Sequence, residues 1–150
     1  MKQYIKYILL IINIMVLSSC STSRAVLSNS FNLESYDYVA FGDESTGDRS
    51  LDDMILLVQN EITNTRLKSV NGDEASVLLL GGKKVLTPNI HVESQYWDGG
   101  HTFITVTFYD YSTHQQVLVL KSSGIGLTVP HDQKIALKAI TKKIQSTFGQ

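Results

Sequence analysis

The chain has 150 residues, of which 43% are hydrophobic, and its 13 basic and 14 acidic side chains give a net charge of −1. This length and composition suit one domain with a hydrophobic core of its own. A nearly neutral chain without a basic stripe excludes a general nucleic-acid binder, whose affinity comes largely from neutralising phosphates. The single cysteine excludes an intramolecular disulfide.

Residues 1–19 have the layout of a signal peptide. Lys2 and Lys6 precede the apolar run 8–17, which only Asn13 interrupts. Such a run is about 15 Å long as a helix, too short for the roughly 30 Å of hydrocarbon in a bilayer. We therefore expect a cleaved secretory signal and not a membrane-spanning anchor.

The signal ends in Leu17, Ser18, Ser19 and Cys20, which resembles the lipobox of bacterial lipoproteins. The resemblance implies that a signal peptidase recognises the first three of these residues and cuts before Cys20. It also implies a thioether lipid on Cys20 and an acyl chain such as palmitate on the new amino terminus. Each buried methylene contributes about 0.8 kcal/mol, so two or three chains hold a protein durably on a membrane. The alternative is an ordinary secretory signal with an incidental cysteine.

The expected localisation follows from the same resemblance. Ser21 differs from the aspartate that retains enteric-type lipoproteins at the inner membrane, so we expect the outer membrane, with the domain facing the periplasm. Removing Lys2 and Lys6 with the signal leaves 11 basic against 14 acidic residues, so the mature chain is mildly acidic.

The mature chain is predicted to start with a short flexible tether, residues 20–30, followed by a single globular domain, residues 31–150. Residues 36–41 alternate and are rich in aromatic and branched side chains, which predicts a first strand. Ser50 begins a capping-box spacing, and the apolar residues after it recur at helical intervals. A helix over residues 51–65 is therefore expected.

Two hairpins are predicted next. The pair Asn71 and Gly72 indicates a turn between residues 67–70 and 77–80. A second, clearer hairpin has the loop 98–100 between two alternating strands, with a glycine supplying the left-handed backbone. A three-residue loop pairs Trp97 with His101, and on the apolar face it pairs Ile90 with Phe108, Val92 with Val106 and Ser94 with Ile104. A shift by one residue would mix the two faces.

The last elements are a third meander strand over residues 115–122, ended by Gly124 and Gly126, and an amphipathic helix that begins near Pro130. The element order of strand, helix, several strands and helix predicts an α+β fold. In this fold two helices pack on one face of an antiparallel sheet.

The mature pattern resembles small Gram-negative outer-membrane lipoproteins that carry domains of unknown function. The residues that carry this resemblance are the opening strand 36–41, the segment 106–110 with its turn, and the closing amphipathic helix. The implied shape is similar to the periplasmic domains of curli-secretion and penicillin-binding-protein-activator lipoproteins. The resemblance assigns no functional residue beyond Cys20.

Acidic and histidine residues are the candidate metal ligands, and no metal or other cofactor is expected. The acidic residues near the first helix do not have EF-hand spacing, so a helix cap and a solvated loop are favoured over a calcium site. The histidines fall in different strands and loops, which argues against zinc. The acidic residues are Asp43, Glu44, Asp48, Asp52 and Asp53; the histidines are His91, His101, His114 and His131.

Catalytic motifs are not found in the sequence. There is no Gly-x-Ser-x-Gly nucleophile elbow, and residues 122–126 lack the lysine of a phosphate-binding loop. We interpret residues 122–126 as a strand that ends in a flexible turn. An enzyme is not expected, and an envelope hydrolase is the weakest alternative.

Aromatic residues near the second hairpin form a possible interaction patch for a partner or a glycan. The favoured alternative is that some of them cover the second face of the sheet. The patch consists of Tyr96, Trp97, Phe103, Tyr109 and Tyr111. On the last helix, Lys134, Lys138 and Lys142 form a row that suits a solvated face, or a contact with anionic lipid or an acidic partner.

These observations favour a lipid-anchored envelope protein that acts as a non-enzymatic binding or scaffolding module in a cell-envelope assembly. The membrane, through lipid on Cys20, and an envelope protein are the expected partners. A small-ligand or glycan-binding lipoprotein is the alternative.

Overall fold

The computed structural model describes residues 20–28, 31–95 and 100–149. They form six strands, three α-helices and a short 3-10 turn. The strands are β1 (Cys20–Leu27), β2 (Tyr36–Ala40), β3 (Lys68–Val70), β4 (Lys84–Gln95), β5 (His101–Asp110) and β6 (Gln116–Ile125), and the helices are α1 (Arg49–Thr63), α2 (Gly72–Leu80) and α3 (Val129–Phe148). None of these helices is both long and apolar enough to cross a membrane.

A single sheet contains all the described strands, in the order β1-β6-β5-β4-β2-β3. β4, β5 and β6 form an antiparallel meander, and β1 pairs with β6 in the antiparallel sense. β2 runs parallel to both β3 and β4. The predicted α+β fold is confirmed, and the parallel edge made by β2 and β3 is an addition to it.

The main core lies between the sheet and the pair of helices α1 and α3, as the amphipathic patterns predict. Ile55 and Val58 of α1 and Ile140 of α3 pack there against the buried face of the meander. Phe148, at the end of α3, meets Phe108 of β5 edge to face with ring centroids 5.0 Å apart. Each large apolar side chain that is fully buried contributes roughly 1.5–3 kcal/mol, so this layer is the main source of stability.

The first helix begins two residues before its predicted start because Asp48, and not Ser50, is its N-cap. The Asp48 side chain accepts hydrogen bonds from the backbone N–H groups of Ser50, at 2.8 Å, and Leu51, at 3.4 Å. A carboxylate in this position satisfies donors that the helix itself leaves free.

The predicted hairpin over residues 67–80 is wrong in its second half. Residues 77–80 belong to α2, whose N-cap Asn71 forms a capping box with Glu74. Helix α2 packs on the opposite face of the sheet from α1 and α3, where Ala75 lies against Ala40 and Val85. The Asn-x-x-Glu spacing indicates the start of a helix, but Asn followed by Gly also favours a turn, and the turn was predicted instead.

The predicted flexible tether is also wrong for residues 20–27, which form the edge strand β1. β1 pairs with β6 from Cys20 opposite Ile125 to Leu27 opposite Leu118. Beyond the strand, Ser28 N–H donates to Val117 O at 2.9 Å. β6 would otherwise have an unpaired edge, and these backbone bonds satisfy it without any need for apolar side chains on β1. The other predicted domain bounds remain predictions.

The second hairpin is present, but its register differs from the predicted one by two residues. Val92 faces Ile104 and Ser94 faces Thr102, and the last pair is Gln95 with His101. A shift of two residues keeps every side chain on its face, so the apolar pattern does not distinguish the two registers. Gly100 has the left-handed backbone expected of the loop, with φ of 81°. Residues 96–99 lie outside the described residues.

Candidate functional site

The predicted lipid-attachment residue lies at one edge of the sheet. Cys20 is the first residue of β1, and its Cα partner is Ile125 at the end of β6. Residues 17–19, predicted to be the peptidase recognition site, lie outside the described residues. Because the strand begins at Cys20 itself, no spacer separates the predicted anchor from the folded domain.

The predicted aromatic patch does not form one cluster among the described residues. Phe103 and Tyr109 lie on the same face of β5, but six residues apart, which is about 20 Å along a strand. Tyr111 packs with the small core under α2. Phe103 is 36% exposed and its ring lies 5.9 Å from that of His101. Tyr96 and Trp97 lie outside the described residues.

The sheet has a broad uncovered surface, which we call the open face: the side of β1, β6, β5 and β4 that points away from α1 and α3. Helix α2 packs at the β2–β3 edge of the sheet and against β4, and the helix that contacts β1, β6 and β5 is α3, on the buried side. The alternation of buried and exposed residues along β5 defines the two sides. The central residues of the open face are Thr22 and Arg24 of β1, Lys121 and Ser123 of β6, Phe103 and Thr105 of β5, and His91 and Glu93 of β4.

Two cations lie side by side on the β1–β6 part of this open face. Arg24 of β1 is the direct cross-strand neighbour of Lys121 in β6. Lys121 faces Thr105 of β5, which in turn faces His91 of β4. Within the described part of the chain, neither Arg24 nor Lys121 forms a salt bridge. Like charges directly opposite each other in a sheet are destabilising, so this pair points to a function outside the fold.

The acidic loop before α1 uses its carboxylates as acceptors for the chain's own donors. Asp52 accepts from Thr46 N–H and Thr46 Oγ1, both at 2.7 Å, and from Ser45 Oγ at 3.0 Å. These bonds, those from Thr46 first, lower the pKa of Asp52. Glu44 reaches β4 and accepts Ile90 N–H at 2.9 Å. Burial raises the pKa of Glu44, against the lowering effect of that bond. Asp48 caps the helix, so the loop has a structural role.

Potential metal and catalytic groups do not converge within residues 20–28, 31–95 and 100–149. No group of three His, Cys, Asp or Glu side chains there could hold a metal ion. None of the four histidines is hydrogen-bonded through its ring to a serine or a carboxylate in those ranges. His114 lies in the turn between β5 and β6, where its backbone has a left-handed φ of 55°.

Asp110 is the best-satisfied buried carboxylate. Its Oδ1 accepts from the backbone N–H and hydroxyl of Ser112, at 3.0 and 2.6 Å, and from those of Thr113, at 2.9 and 3.1 Å. Its Oδ2 accepts the hydroxyl of Tyr36 at 2.8 Å. Burial acts to raise the pKa of Asp110, but these bonds outweigh it and lower the pKa to about 2. Burial and the same contact raise the pKa of Tyr36 above its ordinary value. The arrangement fixes the β5–β6 turn onto β2.

Asp132, in the first turn of α3, is buried with both carboxylate oxygens unpaired among the described residues. Gly100 and Gly126 approach this carboxylate so closely that a Cβ on either would collide with it. Gly124 makes the same close approach to the α3 backbone. The predicted flexible turn over residues 122–126 is therefore wrong: Gly124 lies inside β6, and these glycines make room for α3.

Structural comparison relates this fold to solved structures of other bacterial proteins. PelC from Paraburkholderia phytofirmans, solved as a dodecamer, is similar to this chain with a TM-score of 0.54 and 13% identity, over 87% of this chain and all of that one. A PDZ domain protein from Parabacteroides distasonis matches with a TM-score of 0.53 and 7% identity, over 88% of this chain and 37% of that one. A minor lipoprotein from Acinetobacter baumannii gives a TM-score of 0.33, too low for a shared fold. At these identities the similarity shows the fold alone.

No protein-family model matches the chain, and no curated protein matches it.

Proposed function

We propose that this protein is a lipid-anchored, non-enzymatic binding or scaffolding module of an outer-membrane assembly, and that its open face receives an envelope protein partner. The observation that carries the proposal is the open face itself. It spans four strands, has no helix over β1, β6 and β5 among the described residues, and presents the half-exposed Phe103 beside polar side chains. A surface that combines an exposed aromatic residue with polar neighbours suits protein recognition.

Two further features support an envelope location. The sequence ending at Cys20 resembles a lipobox, and β1 begins at that residue. The fold is similar to that of PelC, which was solved as a dodecamer, so this architecture is compatible with assembly of a lipid-anchored protein into a larger complex. A glycan-binding role receives less support, because Phe103 and Tyr109 lie about 20 Å apart along β5.

Site-specific photocrosslinking in intact cells tests this function. A photoreactive residue at Thr105, in the middle of the open face, should crosslink the same envelope protein reproducibly. A photoreactive residue at Asp53, exposed on α1 on the other side of the sheet, is the matched control and should not. Mass spectrometry of the same preparations should show lipid on Cys20, and Cys20→Ala should abolish the crosslink.

Equal crosslinking from Thr105 and Asp53 would contradict a specific role for the open face. An unlipidated Cys20 would contradict the anchor.

A further inference from the structure

The basic residues of the mature chain are concentrated around β1. Six of them lie on β1, on its partner β6 or on the helix that packs beside it. These six are Arg24, Lys121, Lys134, Lys138, Lys142 and Lys143. In contrast, ten of the 14 acidic residues lie between positions 34 and 74, in the half of the chain that forms β2, α1, β3 and the start of α2.

The topology separates these basic residues from the acidic residues around β2, β3 and the start of α2. β1 and β3 are the opposite edges of a six-stranded sheet, five strand spacings or about 24 Å apart. This distance exceeds the screening length of about 8 Å at physiological salt. Glu34, Asp37, Asp73 and Glu74, around β2, β3 and the start of α2, therefore do not neutralise the field at β1. The acidic first turn of α1 lies nearer, since Gln133 Nε2 of α3 donates to Ser50 Oγ at 3.4 Å.

The lysines of α3 form one wall of a groove against β1. Lys134, Lys138 and Lys142 are four residues apart, so they lie on one face of the helix, and all three are exposed. Together with Ser21 of β1 they line a groove whose apolar floor includes Ala139. No acidic side chain forms a salt bridge with these lysines in the described part of the chain.

On the open-face side lie Arg24 of β1 and Lys121 of β6, neither of which forms a salt bridge with another described residue. Ser21 and Ser23 point to the α3 side, whereas Thr22 and Arg24 point to the open face, since residues alternate along a strand. Cations therefore flank the edge strand on both sides, and Cys20 begins that strand.

We infer that this basic surface around β1 binds the phosphate groups of anionic phospholipids in the membrane that holds Cys20. The inference rests on the proposed lipid anchor, which would place β1 and the groove at the headgroups without a spacer. Phosphates there would neutralise the α3 lysines and relieve the repulsion between Arg24 and Lys121, since each basic residue near an anionic membrane is attracted to it.

Residue-resolved lysine acetylation of the full lipoprotein tests this site. The protein is reconstituted in vesicles of phosphatidylcholine, or of phosphatidylcholine mixed with phosphatidylglycerol. Acetylation of Lys134, Lys138 and Lys142 should be about fivefold slower in the anionic vesicles, and high salt should remove the difference. The exposed Lys68 and Lys83 are internal controls whose rates should not change.

Matched variants separate this site from a general charge effect. Replacing Lys134, Lys138 and Lys142 by Gln should abolish the protection of Lys143 in anionic vesicles. Replacing Lys68, Lys83 and Lys84 by Gln makes the same change of net charge on exposed residues at the β3 and β4 side of the sheet and should preserve that protection.

The outcomes distinguish the two proposals. Equal acetylation in both vesicle types, with lipid present on Cys20 in the same spectra, would overturn the headgroup site and leave the anchor intact. Absence of lipid on Cys20 would overturn both.

Discussion

Asp110 shows how a single buried carboxylate stabilises the turn between β5 and β6. Its ordinary pKa of 3.8 is lowered to about 2 in the folded protein by bonds from Ser112, Thr113 and Tyr36. A group with a lowered pKa contributes stability above its unfolded pKa, and this contribution is lost as the pH falls from about 4 to about 2. The turn should therefore weaken in acid.

Asp110→Asn tests this contribution. We expect the substitution to lower the free energy of unfolding by about 2 kcal/mol at pH 7, because the ionised acceptor is lost. The difference from wild type should shrink as the pH falls toward 2, as urea denaturation at a series of pH values would show. Asp43→Asn, at an exposed position, is the control. A difference that does not depend on pH would contradict the ionised state of Asp110.

Gly124 is a residue at which packing, and not turn geometry, requires glycine. A Cβ there would lie 2.6 Å from Ala136 N and closer still to the carbonyl oxygen of Asp132. Gly124→Ala should therefore push α3 away from β6 and lower the free energy of unfolding by about 2 kcal/mol. Gly42→Ala, where no atom lies within 4 Å of the added carbon, should change it little. If denaturant titrations gave the same free energy of unfolding for Gly124→Ala and Gly42→Ala, α3 would be able to move away from β6 at no cost.

At the scale of elements, the pairing of β1 with β6 predicts which residues of β1 tolerate proline. Its N–H groups point alternately to β6 and to the free edge of the sheet. Ser28 N–H points at β6, so by the two-residue period Val26 N–H does too, whereas Ala25 N–H points to the free edge. Val26→Pro should therefore break a bond of the ladder, while Ala25→Pro should be tolerated. Amide hydrogen exchange in β1 and β6 should become about tenfold faster only in Val26→Pro, since a lost ladder bond lowers the free energy of local opening by about 1 kcal/mol or more. Similar exchange rates in both variants would mean that β1 is held by something other than its ladder.

The elements also show what the sequence could and could not predict. Periodicity identified β2, the meander and helices α1 and α3, because each has an apolar face that must be buried. It did not identify β1, whose exposed residues have no alternating apolar face and are held by backbone bonds to a strand nearly 100 positions away. The hairpin register was missed by two residues because both registers bury the same side chains.

The candidate site was predictable only in part for the same reason. The spacing of Lys134, Lys138 and Lys142 predicts a basic helix face, and anionic lipid was one of its possible partners. The pairing of β1 with β6 places this row near Cys20 and Arg24 opposite Lys121. No local pattern in the sequence encodes that pairing. The aromatic patch was defined by closeness in sequence, but an extended strand separates its members Phe103 and Tyr109.

For the whole molecule, the absence of a spacer between Cys20 and the sheet makes the position of the anchor part of the proposed mechanism. A flexible linker of ten Gly and Ser residues inserted between Cys20 and Ser21 would add a reach of about 17 Å, twice the physiological screening length of about 8 Å. We expect the protection of Lys134 from acetylation in anionic vesicles to fall by at least half, because the basic surface is no longer confined to the headgroups. The free energy of unfolding should change little, since β1 from Ser21 onward keeps its partners in β6.

The same insertion after Gly149, at the end of α3, controls for added length and should leave the protection of Lys134 unchanged. Full protection in the variant with the linker at Cys20 would mean that the affinity of the basic surface for headgroups is sufficient by itself, and that the direct junction of anchor and strand does not position the domain. Reduced protection in that variant alone would support a mechanism in which the lipid confines one edge of the sheet to the membrane and the cations around β1 fix the orientation of the domain on the headgroups.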